Sequence, residues 1–379
     1  MKLNRFQQSS FSLESIIYSN YIRYDRLKQL VLNEFQNTPY ANCNKVNIFI
    51  DVYSIVKRLR DISDLEITKD QKYLLASGIV NMAAHYRAYF QSRHNTSSNI
   101  FVIYSDNDNK YLRSINPEYD GFMNDKHLLS KYRKYIDSNL KVLDDISFYI
   151  PNFQFKRYEN APTCAAMYDI MKYNSMIDNI TPNIVITRDT INYQLVNFPD
   201  NYTVIFRPKR DVNGFDSSYS INKFNLMESY VELRANKDTK IEDIAKRKEL
   251  ARLLNPELFT ILLSLTSVPE RNYKFLLNIN SALQVLYKII IQMGLVRNAY
   301  SFFPMDVFEI INNNINSTRF NPTFAESRFR TLDMIFQYAV LESMKIELYK
   351  PNEYLHNPDI IKKINDKFFS EYPLDLNVL

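Results

Sequence analysis

Glycine is nearly absent from this chain, with four in 379 residues: Gly78, Gly121, Gly214 and Gly294. Average usage of roughly 7% would supply about twenty-five. Four scattered glycines cannot build a phosphate-cradling loop, and neither a GxGxxG nor a Walker sequence occurs. Nucleotide-binding folds of those kinds are excluded. Backbone positions that need a positive φ must fall mostly to Asn. Cysteine is as scarce: Cys43 and Cys164 cannot form a disulfide framework or a zinc cluster, and are expected to be buried or incidental thiols. The four histidines, His85, His94, His127 and His356, lack metal-ligand spacing, and His85 falls within an apolar helical pattern as a core residue. No Ser-His-Asp or Cys-His constellation can be assembled. No apolar run approaches the ~18 residues needed to cross a bilayer, and residues 1–8 lack a signal-peptide core. The expectation is a soluble protein made in a cytoplasm, neither secreted nor in contact with a membrane.

What is present is apolar and aromatic. Hydrophobic residues make up 46% of the chain, enough for one large domain or two ordinary ones. Tyr (28) and Phe (25) supply all the aromatic content, since Trp is missing. The net charge of +5 permits contact with nucleic acid without demanding it. Abundant Asn, Ile, Lys and Tyr match the codon bias of an AT-rich genome and point to a phage or large virus.

Residues 46–50, 100–104, 183–187 and 202–206 are short β-branched apolar runs, the pattern of strands buried on both faces. A further strand falls at 146–150 or 153–157, Pro151 arguing against a continuous one. Helical periodicity marks 71–91, 126–137 and 161–173, and from about residue 238 it dominates, at 241–254, 256–265, 281–293, 306–311 and 326–348. Alternating strands and helices predict an α/β fold with a mainly parallel sheet. The expected divisions are an N-terminal helical extension (1–44), the α/β domain (45–237), a helical region (238–297) and a C-terminal helical extension (298–379).

Three of the strands end in an aspartate: Asp51, Asp106 and Asp189. Open α/β sheets keep their sites at the carboxyl ends of strands. Asp after a strand is also ordinary turn and helix-cap chemistry.

The segment Thr187-Arg188-Asp189-Thr190-Ile191-Asn192-Tyr193-Gln194-Leu195 is similar to the Thr-x-Asp-x-Asp-x-x-Gln-Leu of the PIN-like 5′-nucleases, the flap endonucleases and phage-type 5′–3′ exonucleases. The resemblance spans about residues 46–294. It implies a PIN-like sheet, a helix–three-turn–helix that grips duplex DNA, and two divalent ions held by carboxylates at the strand ends. The positions it matches are Asp51, Asp106 (or Asp108), Asp189 and, as the only acid near the family's Glu-Ala-Asp-Asp segment, Glu159. Several family acids are replaced. Ile191 stands for the second aspartate, and Pro162-Thr163 or Thr163-Cys164 for an acidic pair. Asp169, further along that helix, is expected to face solvent. The turn at 267–272 has no aspartate, and Asn278-Ile279-Asn280 replaces a Gly-Ile-Gly loop. A Cβ at both glycine positions obstructs the approach of backbone amides to a phosphate.

These losses predict a catalytically degenerate nuclease-like protein with no required cofactor. It would act as a structural or assembly component in a virion or the host cytoplasm, through contacts with other viral or phage proteins. DNA or RNA is a secondary partner. Basic residues interleaved with aromatics, Lys131, Tyr132, Arg133 and Lys134, then Arg207, Lys209 and Arg210, are the candidates for it. The alternative is a Mg²⁺-dependent 5′–3′ exonuclease or flap endonuclease, with Asp51, Asp106, Glu159 and Asp189 as catalytic residues and metal ligands.

Overall fold

The apolar runs pair into a single sheet of β1 (Lys45–Asp51), β2 (Ser97–Ser105), β3 (Phe153–Tyr158), β4 (Asn183–Ile186), β5 (Thr203–Arg207) and β6 (Tyr219–Ile221). Their spatial order is 3-2-1-4-5-6, parallel throughout except that β6 runs against β5. This is a computed structural model, and it describes residues 12–36, 38–57, 59, 67–94, 96–105, 110–116, 126–158, 161–211, 213–235, 239–266, 276–292, 304–315 and 320–368. The helices of the first half are α1 (Leu13–Tyr18), α2 (Tyr24–Phe35), α3 (Val52–Val56), α4 (Leu74–His94), α5 (Lys110–Ile115), α6 (Lys126–Ser147) and α7 (Thr163–Ile177). Those of the second are α8 (Leu226–Leu233), α9 (Ile241–Arg252), α10 (Phe259–Leu265), α11 (Ile279–Gln292), α12 (Pro304–Asn314), α13 (Pro322–Leu332), α14 (Met334–Ser343) and α15 (Pro358–Phe368). No helix among the described residues is long and apolar enough to cross a membrane.

Side chains alternate across a strand, so each one feeds two cores. Ile48, Ile50, Val102, Ile184 and Val204 share a core with residues of α1, α2, α4 and α6. Phe49, Phe101, Ile103, Val185 and Ile205 share the other with α7 and the helices of the C-terminal half. Burial on both sides explains why the strands read as unbroken apolar runs. The N-terminal helices are part of this packing: Leu13, Ile16, Ile17, Leu27 and Leu30 are all buried. Glu34 of α2, also buried, accepts hydrogen bonds from the Tyr202 and Ser220 hydroxyls and the Asn222 amide.

One open alternative is decided and one expectation is corrected. Of the two placements open for the third strand, 153–157 holds and 146–150 does not, because α6 runs on to Ser147 and the chain turns at Asn152 into β3. Asn152 adopts φ 55° and Lys345 φ 52°, so among the described residues the positive-φ positions outside glycine fall to one Asn and one Lys. The helix expected over 326–348 is broken at Asp333, whose carboxylate accepts the Phe336 N–H at 2.8 Å and starts α14 afresh. Ile335 and Met344 are 57% and 47% exposed. The short β6 and α8 had no separate signal in the sequence.

A polar ladder crosses the sheet near its amino edge. Asn99 donates to Asn47 (2.9 Å), Asn47 to Asn183 (3.1 Å) and Asn183 to the Thr203 hydroxyl (3.2 Å), all in register positions. Four strands are thereby held in phase.

One glycine is required by close approach: a Cβ on Gly78 of α4 would lie 2.3 Å from Cγ2 of buried Ile17 in α1. Gly78→Ala should therefore lower stability by about 1–3 kcal/mol, read as a lower urea midpoint. The loss should shrink in Gly78→Ala/Ile17→Ala relative to the sum of the two single changes. Strict additivity would mean that the helices do not meet there.

Candidate functional site

The strand order reverses at β1: β2 and β3 lie on one side, β4 and β5 on the other. A crevice outside the carboxyl ends of β1 and β4 is where such a sheet opens a site. Asp51 ends β1 and Asp189 follows β4, so the topology brings these two acids together; they are 1% and 2% exposed.

Asp51 caps α3, its Oδ1 accepting the Ser54 N–H at 3.2 Å. Its Oδ2 accepts the Thr187 hydroxyl at 2.6 Å and the Asn192 amide at 2.9 Å. The Thr187 oxygen in turn accepts the Asp189 N–H and the second Asn192 amide hydrogen, both at 3.0 Å. Asp189 accepts the Ile191 N–H at 3.2 Å and so starts the 3₁₀ turn Thr190–Asn197. Burial, and next the neighbouring Asp189 charge, push the Asp51 carboxyl up to about 6, against the pull of its hydrogen-bond donors. Both acids thus perform cap chemistry while facing one another across the switch point.

Ile191, at the place of a second motif acid, belongs to the apolar core with Tyr193 and Phe259. Thr163 and Cys164, at the place of the acidic pair, are buried at the start of α7. Asp106 and Glu159 lie outside the described residues, as does the 267–272 turn. Among the described residues no three His, Cys, Asp or Glu side chains converge as metal ligands. A dication at Asp51 would compete with the two donors seated on Oδ2 and the one on Oδ1. Asp169, expected at the surface, is 4% exposed and accepts the Tyr158 hydroxyl (2.8 Å) and the Tyr349 N–H (2.7 Å). It ties the segment after α14 onto α7.

Two residues of the quoted motif have roles that spacing alone did not reveal. Asn192 supplies the amide that fills the Asp51 carboxylate. Gln194 donates to the carbonyls of Ile191 and Leu332 and accepts from the Met334 N–H and the Thr260 hydroxyl, joining the strand-end turn to α10, α13 and α14. Only their presence within the motif could have marked them.

The basic candidates divide between interior and surface. Arg207 donates to the Arg188 carbonyl (2.5 Å) and the Tyr193 hydroxyl. Arg210 donates to the Tyr21 carbonyl and pairs with Asp216, both at 2.8 Å. Lys209 is exposed beside the Tyr219 ring. Tyr132 is buried, Arg133 lies 3.8 Å from Asp137, and Lys134 is exposed. The side chain of Lys131 lies outside the described residues. At the start of α11, where a Gly-Ile-Gly loop would reach a phosphate, the Asn278 side chain accepts the Ser281 N–H at 2.9 Å.

No family profile matches the sequence, and no curated protein matches it. Solved structures of similar form include T5 5′-exonuclease with divalent zinc ions bound, at TM-score 0.49 and 11% identity over 86% of this chain and 98% of that one. A bacteriophage T5 flap endonuclease in a pseudo-enzyme–product complex with DNA and metal ions gives 0.45 and 10% over the same shares. The likeness is one of fold.

Two stability predictions follow from the site. Thr187→Val removes the hydroxyl that both donates to Asp51 and accepts from Asp189 and Asn192, so it should cost about 1–3 kcal/mol in urea unfolding; an unchanged midpoint would show that the network contributes nothing. Burial also pushes Asp333 up to about 6 from an ordinary value of 3.8. Its native state then holds a proton that the unfolded chain releases, so its stabilising contribution is full below about pH 4 and lost as pH rises through 6. Asp333→Asn, which keeps the cap, should flatten that slope and gain about 2–3 kcal/mol at pH 7. An unaltered pH dependence of unfolding would refute it.

Proposed function

We propose that the chain is a catalytically degenerate, nuclease-like scaffold of a phage or large virus that works through protein contacts, with nucleic-acid binding secondary. The observation that carries this is the state of Asp51. Its carboxylate accepts three protein donors and is 1% exposed, where a metal-dependent nuclease needs open oxygens. Ile191 adds an apolar side chain where a ligand would be, raising the desolvation cost of any bound dication. The basic side chains Arg207 and Arg210, turned to internal partners, leave fewer cations for phosphate.

A second reading, a Mg²⁺-dependent 5′–3′ exonuclease or flap endonuclease, is favoured by the meeting of Asp51 and Asp189 at the switch point. It would call on Asp106 and Glu159 to complete the ligand set. Purified protein given Mg²⁺ or Mn²⁺ and a 5′-flapped DNA should cut no faster than an Asp51→Ala/Asp189→Ala control. Cleavage that requires the metal and is abolished by those two changes would establish the enzyme instead.

A further inference from the structure

Among the described residues β3 is the outermost strand on its side, with no strand beside one of its edges. Along β2–β3, Ile100 pairs with Phe153 and its N–H bonds to the Asn152 carbonyl, while Phe155 and Arg157 pair with Val102 and Tyr104. A parallel ladder in that phase turns the N–H and C=O groups of Phe155 and Arg157 away from β2. They border a cleft of about 650 Å³. One wall is α6, with Lys141 and Asp144; the other is the segment after α14, with Glu347 and Lys350. That second wall is fixed in place. The Tyr349 N–H bonds Asp169, its hydroxyl bonds Gln154, and Asn352 accepts the Lys156 ammonium at 2.7 Å.

The size and charge of the cleft fit extended chain. A residue in a strand occupies about 160 Å³, from a rise near 3.3 Å, a strand spacing near 4.8 Å and a layer depth near 10 Å, so about four residues can be held. Arg157 is balanced by Asp137 at 3.4 Å. Lys141 and Lys350, one on each wall, are exposed and have no ion pair among the described residues. With half-buried Lys156 they place three ammonium groups against Asp144 and Glu347, leaving the cleft net positive. An unpaired strand edge between two walls, lined by excess positive charge, calls for an occupant that supplies backbone hydrogen bonds and carboxylates.

We propose that this cleft receives an acidic, extended segment of a partner protein, which adds to β3 as a seventh strand. The proposal deepens the protein-contact reading of the chain and rests on it. The test uses the full chain and a fluorescein-labelled peptide of alternating Val and Glu, followed by fluorescence anisotropy. Binding should weaken about tenfold or more when alternate peptide nitrogens are methylated, and likewise in Lys141→Glu/Lys350→Glu. Arg157→Pro, which removes one outward N–H at an edge where proline is tolerated, should weaken binding well beyond Arg157→Ala. Absence of binding up to about millimolar peptide, equal binding of a Val–Lys peptide, or indifference to methylation would each overturn the proposal. So would a tenfold gain on removing residues 369–379, which would assign the cleft to this chain's own end. Loss of a dimer in Lys141→Glu/Lys350→Glu would assign it to a second copy, with the same consequence. Metal-dependent DNA cleavage by a preparation that also binds the peptide would remove the scaffold reading and leave the cleft assignment standing.

Discussion

Register across β2, β1, β4 and β5 is the constraint on which the rest depends, and the Asn99–Asn47–Asn183–Thr203 ladder enforces it. A slip by one residue would carry Asp51 to the opposite face, together with Asn47 and Phe49. Apolar packing alone discriminates weakly here, because both faces of the sheet are buried and either would accept Ile or Val. Buried amides discriminate strongly, since a misplaced one loses its partners and bears its full desolvation cost. The ladder near the amino edge thus fixes which side chains emerge at the carboxyl edge.

Among the described residues, two carboxylates emerge there within a dense hydrogen-bond network. An aspartate that accepts three donors is satisfied without a cation, and its burial raises its affinity for a proton. Chelation and capping compete for the same lone pairs. In this chain Thr187 and Asn192 bond to Oδ2 of Asp51, and the Ser54 N–H to Oδ1. The network joins β1, β4 and the turn that follows, and Gln194 extends it to the C-terminal helices.

The C-terminal half is bound to the sheet through few polar anchors and much apolar area. Gln194 holds the α13–α14 junction, and Asp169 holds the segment after α14, which becomes one wall of the cleft at β3. Both anchors are polar groups of the α/β part that bond to backbone of the helical part. The helical half therefore forms one face of the sheet's environment and also shapes an open edge of it. Exposed strand edges are usually blunted by charge, and Lys141, Lys156 and Lys350 line the cleft at this one.

The sequence by itself determined the strands, their parallel order of appearance and the helical second half, because burial on both faces writes continuous apolar runs and period 3.6 writes amphipathic helices. It also determined that Asp51 and Asp189 end strands, and that Asn would serve a positive φ, as Asn152 does. The boundary of α6, the break at Asp333 and the three-residue pairing of the short β6 were decided elsewhere. A side chain that caps a helix and one that faces solvent look alike in a string of letters. Whether Asp169 is buried, whether Arg207 points inward and what fills the Asp51 carboxylate all depend on residues up to 180 positions away. Only tertiary structure brings those donors within hydrogen-bond distance, so only it could decide which donors Asp51 accepts.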